Sequence, residues 1–263
     1  MMSLLEENAV ESIIHNHVAV ITMNNPPANT WTETSLNQLK QLVCSLNQNK
    51  DVYALVITGQ GEKFFSAGAD LKLFANGDKT VAFDMARCFG EAFETLSSFR
   101  GVSIAAINGY AMGGGLEVAL ACDIRIAEQQ AVMALPEAKV GLLPCAGGTQ
   151  NLTLLVGEGW AKRIILCGER VTADHAFNIR LVEEVVPQGK ALETAILLAE
   201  SVANQSPSSV TACKTLIQHT RTAPLQHGLM KERELFVNLF DTEDQAEGVQ
   251  AFLEKRKPNW KNQ

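Results

Sequence analysis

The chain has 263 residues, 46% apolar and 19% charged, with 19 glycines and 8 prolines scattered along it. At about 150 residues per domain this suits one large domain with an appendage, and the composition excludes collagen-like, mucin-like and low-complexity chains. With 22 Lys and Arg against 29 Asp and Glu the formal charge is −7, so the basic excess needed to neutralise a nucleic-acid backbone or dock on an anionic membrane is missing, and an anionic ligand has to be held locally.

In chain order, the opening Met1-Met2-Ser3-Leu4-Leu5-Glu6-Glu7 lacks the basic region and long apolar core of a secretory signal, and no run reaches 18 consecutive apolar residues. A cytoplasmic protein is expected. Apolar runs suited to buried strands lie at 18–23, 53–58, 104–107 and 124–127, with a β-rich run at 181–186. Between them Leu36, Leu39, Val43 and Leu46, and then Val81, Met85, Phe89, Phe93 and Leu96, recur at helical spacing. Strand and helix therefore alternate, and the fold class is α/β. A coarse unit of apolar strand, Gly-bearing turn and amphipathic helix appears at 55–74 and again at 104–122. After Pro187 the β character stops: 191–203, 209–219, 225–240 and 243–255 all read as helices. The expected division is a core over residues 1–190 and an all-helical module over 191–263, whose apolar stripes serve either as its own core or as a subunit contact.

The densest chemical signal is Asn108-Gly109-Tyr110-Ala111-Met112-Gly113-Gly114-Gly115-Leu116-Glu117, placed after a strand and leading into a helix. Three adjacent glycines let a ligand approach the backbone, and free amides at a helix start face an anion or a developing negative oxygen. A tight strand-to-helix packing turn is the plain alternative. The dinucleotide fingerprint is excluded, since Val118 stands where its last glycine belongs, and no P-loop motif occurs. Two further small-residue loops, 65–72 and 144–150, each follow a predicted strand or apolar segment, and three such loops at one end of successive strands build one pocket.

Two carboxylates sit in apolar company. Glu117 enters the run Val118-Ala119-Leu120-Ala121, and Glu137 follows Pro136 between Met133-Ala134-Leu135 and Ala138. An acid in such surroundings is costly unless paired, protonated or working, and two of them on one site can act as acid and base. The plain alternatives are a helix N-terminal charge for Glu117 and a solvated loop acid for Glu137. Other chemistry fits less well. Gly101-Val102-Ser103-Ile104-Ala105 lacks the last glycine of a nucleophile elbow. His15 and His17, expected on one face of an edge strand, have no third ligand nearby, and none of the six cysteines forms a CxxC pair, so free thiols and no metal site are expected.

These residues resemble the enoyl-CoA hydratase/isomerase, or crotonase, family over nearly the whole chain. The resemblance rests on Val20-Ile21-Thr22-Met23-Asn24-Asn25-Pro26 with Ala28-Asn29, on Phe65-Ser66-Ala67-Gly68-Ala69-Asp70-Leu71-Lys72, and on Ala106 to Glu117. It continues with Leu135-Pro136-Glu137, with Gly141 to Pro144 plus Gly147-Gly148-Thr149-Gln150, and with the tail Glu247-Gly248 to Arg256, in that order. It implies a crotonase-like superhelix of ββα turns with a C-terminal helical trimerisation module, assembled as a homotrimer or a dimer of trimers. It implies an acyl-CoA thioester substrate, coenzyme A entering only as part of it, with no metal, redox cofactor, nucleic acid or membrane. The positions matching the family's oxyanion-hole amides are Ala69 and Gly114, and those matching its acid/base pair are Glu117 and Glu137. The backbone of Cys145, where glycine is commoner, matches the amide that helps hold the water. Ala28, Ala67, Gly68, Asp70, Leu71, Lys72 and Gly113 line the implied substrate path. Lys255, Arg256 and Lys257 either reach coenzyme A or complement a helix end. The implied reaction is reversible hydration of a trans-2-enoyl-CoA, with isomerisation, hydration of a branched or sulfur-bearing substrate, or a non-catalytic acyl-CoA-binding role as alternatives.

Overall fold

The computed structural model describes residues 9–263, so the opening segment read for a signal lies outside the described residues. Strands β1 (Val10–His15) and β2 (Val18–Met23) lead into helix α1 (Glu33–Gln48), which Thr32 and Ser35 start with a reciprocal capping box. Three units of the same design follow: β3 (Ala54–Gly59), β4 (Phe64–Ser66) and α2 (Lys79–Ser97); β5 (Val102–Ile107), β6 (Tyr110–Met112) and α3 (Gly114–Ala121); β7 (Ile124–Glu128), β8 (Val132–Ala134) and α4 (Gly148–Leu166). The chain continues through β9 (Val171–Thr172), α5 (Ala173–Asn178) and β10 (Glu184–Val186) to α6 (Ala191–Val202), α7 (Pro207–His219), α8 (Leu225–Asn238) and α9 (Glu243–Glu254).

The first strand of each unit joins a six-stranded sheet of order β1-β2-β3-β5-β7-β10, parallel except for the β1–β2 pair. The second joins a smaller sheet of order β4-β6-β8-β9, and the helix then returns over the layers. This is the ββα superhelix that the family resemblance implies. Strands β3 and β5 are buried on both faces, which is why they read as continuous apolar runs. The small-sheet strands were missed because two or three residues carry no readable period.

One face of the large sheet packs on α1, α2 and α3 through Leu36, Leu39, Phe89, Phe93 and Leu116. The other is covered by α6, whose Ala191, Ala195 and Ala199 meet Val18, Val56, Ile104 and Ala106. Helix α6, grouped with the terminal module in the sequence reading, thus seals the sheet. Helix α7 is tied down by Lys214, whose Nζ donates to Phe99 O, Gly101 O and Asp123 Oδ2 at 2.7, 2.9 and 2.6 Å. Helix α8 has no buried residue.

Two local expectations are corrected. His15 ends β1 while His17 lies beyond a turn at Asn16, whose φ is +52°, so the two do not share a strand face; His17 stacks on Tyr53 and bonds to Asp51 O. The strand expected over 181–186 shortens to Glu184–Val186, because Leu181 turns back to bond Ala176 O.

Candidate active site

The site lies where the three small-residue loops meet. Strand β6 ends in Met112, and Gly113 then takes a φ of +54°, a region open to glycine, which turns the chain from sheet into helix α3. Gly115 is required for a different reason. A Cβ there would stand 2.1 Å from Ser66 O, so helix α3 packs directly on the 65–72 loop. The approach brings Gly68 beside Gly114: a Cβ on Gly68 would lie 3.0 Å from Gly114 N.

Gly114 is the first residue of α3, so its amide has no acceptor within the helix. Ala69 pairs with Trp31 in a one-residue bridge in which the Trp31 amide donates to Gly68 O and the Asp70 amide to Trp31 O. That pattern leaves the Ala69 amide out. Among the described residues neither the Ala69 nor the Gly114 amide has an acceptor, and both residues line one cavity of about 310 Å³.

Both predicted glutamates line the same cavity. Glu117 is only 2% exposed, and its Oε1 accepts from the amides of Ala146 and Gly148 at 2.8 and 2.9 Å. Burial raises its carboxyl above the usual range and outweighs these two bonds, which favour the charged form. Glu137 opens a short 3₁₀ turn over Glu137–Val140, its Oε1 standing over Gly113, where a Cβ would come within 3.2 Å. Its Oε2 is buried without a partner among the described residues. Desolvation, and then the nearby charge of Glu117, push its carboxyl up to about 7. Neither solvated-acid nor simple helix-charge readings describe this pair: both carboxylates face a largely apolar cavity, and burial raises both carboxyls above the usual range.

The 144–148 loop completes the wall. Gly147, with a φ of +90°, caps α4, and Gly148 is packed against Glu117 and Pro144 with no room for a Cβ. Cys145 lines the cavity between the buried residues Pro144 and Ala146. The surroundings of the Cys145 thiol, and then the two carboxylates, push it up to about 11, so it is uncharged at neutral pH.

Of the other residues expected on the substrate path, Ala67, Leu71 and Gly113 line the cavity, while Ala28, Gly68, Asp70 and Lys72 do not. Ala28 O accepts from the Ala67 amide, holding the loop from behind. Asp70 Oδ1 caps the Leu71–Phe74 turn at the Lys72 amide, and the Lys72 side chain is exposed. In the tail, Arg256 is engaged by Glu247 and Glu254, and the Lys255 backbone ends α9 in the left-handed region. The sequence reading missed the cavity's apolar walls at Met112, Leu142 and Leu143, and missed that Ala146 and Gly148 supply the amides that hold Glu117. The glycines of the third loop were the available signal. Ser103 lies elsewhere, buried in β5 with its Oγ donating to Asp123 Oδ2 at 2.9 Å.

A family profile described as enoyl-CoA hydratase/isomerase matches residues 13–263. The chain belongs to this family. It is 40% identical over 247 residues to the 2,3-dehydroadipyl-CoA hydratase of Escherichia coli strain K12, a match covering 93% of this chain and 95% of the relative. Solved structures agree in fold. The structure of Pseudomonas aeruginosa DspI superposes with a TM-score of 0.95 at 63% identity, covering 98% of this chain and 99% of that one. The enoyl-CoA hydratase from Bacillus anthracis superposes at 0.93 with 36% identity, covering 97% and 100%. The crotonase fold is therefore established for this family member. Among the described residues no helix is long and apolar enough to cross a membrane.

Proposed function

We propose that this chain is an enoyl-CoA hydratase, adding water reversibly across the C2=C3 bond of a trans-2-enoyl-CoA to give the 3-hydroxyacyl-CoA. The observation that carries the reading is one cavity holding two carboxylates and two amides that lack acceptors. Attack of water at C3 drives negative charge through the conjugated system onto the thioester oxygen, where the Ala69 and Gly114 amides receive it. A well-placed donor of this kind contributes roughly 3 kcal/mol in the transition state. Glu117 and Glu137 flank the water: one, ionised, takes a proton from it as it attacks, and the other, protonated, delivers one to C2, so that the pair ends the step with as many protons as it began and a proton passed between the two restores the starting state. Burial raises both carboxyls, that of Glu137 to about 7, which suits a pair that has to hold and release protons. The Cys145 backbone completes the wall where the water sits.

The cavity is at the small end of the range for ligand pockets, so it takes the acyl thioester while the nucleotide end of coenzyme A stays outside. Names among the relatives support the reaction class: the Escherichia coli protein is a 2,3-dehydroadipyl-CoA hydratase and one from Clostridium acetobutylicum a short-chain-enoyl-CoA hydratase. The same proposal extends to assembly as a trimer or dimer of trimers. Phe236, Phe240, Phe252 and Leu253 are exposed on and around α8 and α9, with Phe252 at 83%, which a subunit contact would cover. A cytoplasmic site of action and the absence of any metal or redox cofactor belong to the proposal too.

The test is loss of the conjugated enoyl-thioester absorbance with crotonyl-CoA. Fast loss in the wild type with formation of 3-hydroxybutyryl-CoA is expected. Tight thioester binding with no loss of absorbance would overturn the hydratase reading.

A further inference from the structure

The side chain of Cys145 has no part in the acid/base scheme, yet Cys145 lines the same cavity as Glu117 and Glu137. Its neighbours Pro144 and Ala146 are buried while Cys145 is not, so the loop presents this side chain to the cavity that Glu117 and Glu137 also line. The loop has little freedom to retreat. The Ala146 and Gly148 amides are bonded to Glu117 Oε1, and a Cβ on Gly148 would already stand 2.8 Å from both that oxygen and Pro144 Cβ. Glu117 is likewise fixed by those two amides, and Glu137 stands over Gly113. In the proposed hydration the carbon attacked lies against the water that the two carboxylates flank. A substituent on that carbon and the Cys145 side chain therefore compete for one space, and close-packed walls do not yield cheaply to an added methyl group.

We infer that Cys145 is a specificity-determining residue that admits 2-enoyl thioesters with a single chain at C3 and refuses those carrying a second substituent there. The inference rests on the hydratase reading for where C3 lies, and it concerns the size of the side chain alone. One methyl group in such a pocket is worth about 10- to 200-fold in discrimination.

The experiment compares wild type with Cys145→Gly, Cys145→Ala and Cys145→Ser, using crotonyl-CoA and 3-methylcrotonyl-CoA for kcat/KM. The same proteins are titrated with butyryl-CoA and 3-methylbutyryl-CoA, whose binding needs no turnover. Cys145→Gly is expected to raise the relative kcat/KM for the 3-methyl substrate about 10- to 200-fold, with Cys145→Ala between it and wild type and Cys145→Ser, nearly the same size as cysteine, close to wild type. The Kd ratio should move in the same direction. Ratios within about two-fold of wild type in both the Gly and Ala proteins would overturn the inference, as would a Ser protein that behaves like Gly. If the Gly protein fails to fold, the Ala protein decides. If the wild type hydrates neither substrate, the hydratase reading fails by itself, and an unchanged Kd ratio would separately remove the role given to Cys145.

Discussion

The floor and the mouth of the cavity are built in opposite ways. The floor, made by α3 and the 144–148 loop, is packed to the limit: every residue of α3 is buried, Gly115 touches Ser66 O, and Glu117 is held by two amides. The mouth, made by the Leu71–Phe74 turn and residues 140–143, leaves apolar side chains in the open, among them Leu71, Val140 and Leu143. Chemistry needs donors and acids held within fractions of an ångström, and close packing supplies that. An acyl chain needs apolar surface that it can cover when it arrives. Under the proposed hydratase function, the division assigns rate to the floor and binding of the acyl chain to the mouth.

Variants can break that division at several points. The largest expected effect is at the floor's acids: Glu117→Gln and Glu137→Gln should each lower kcat about 10²- to 10⁴-fold in the absorbance assay, with the fold intact by circular dichroism. Next is Gly115→Ala, whose added Cβ would meet the Ser66 carbonyl 2.1 Å away; a loss of roughly 3 kcal/mol in denaturant unfolding is expected. A smaller effect follows from pH. The Glu137 carboxyl is raised to about 7 in the folded protein, so it holds its proton more tightly there than in the unfolded chain. Its contribution to stability is fully present below the ordinary carboxyl range and is lost as pH rises through 7. Allowing for partial solvent screening, about 2 kcal/mol of stability should fade between pH 5 and 8, and Glu137→Gln should flatten that part of the profile in urea titrations. The smallest effect belongs to the mouth: Leu143→Ser should change stability by less than about 0.5 kcal/mol, while raising KM for a long 2-enoyl-CoA more than for crotonyl-CoA.

Much of the core and of the site was legible in sequence because its cause is local. Continuous apolar runs mark strands buried on both faces, and the three-glycine turn with Glu117 marks a helix start pressed against another loop. The short strands β4, β6, β8 and β9 were illegible, being too brief for a period and fixed by pairing with distant partners. Glu137 could be picked out by its apolar flanks, but its unpartnered Oε2 is a product of tertiary packing. The position of α6 was also hidden. Its alanines look like any helix former until Val18, Val56 and Ile104 are found beneath them.

The central claim is that two carboxylates act as one unit on a single water. It is tested most directly by the turnover of the double variant Glu117→Gln/Glu137→Gln beside its two parents, on crotonyl-CoA with active wild type as the reference. Groups that act together are grossly non-additive, so the double variant should be no more than about ten-fold slower than the slower single variant. Losses that multiply across the pair would contradict the account and show two acids working independently.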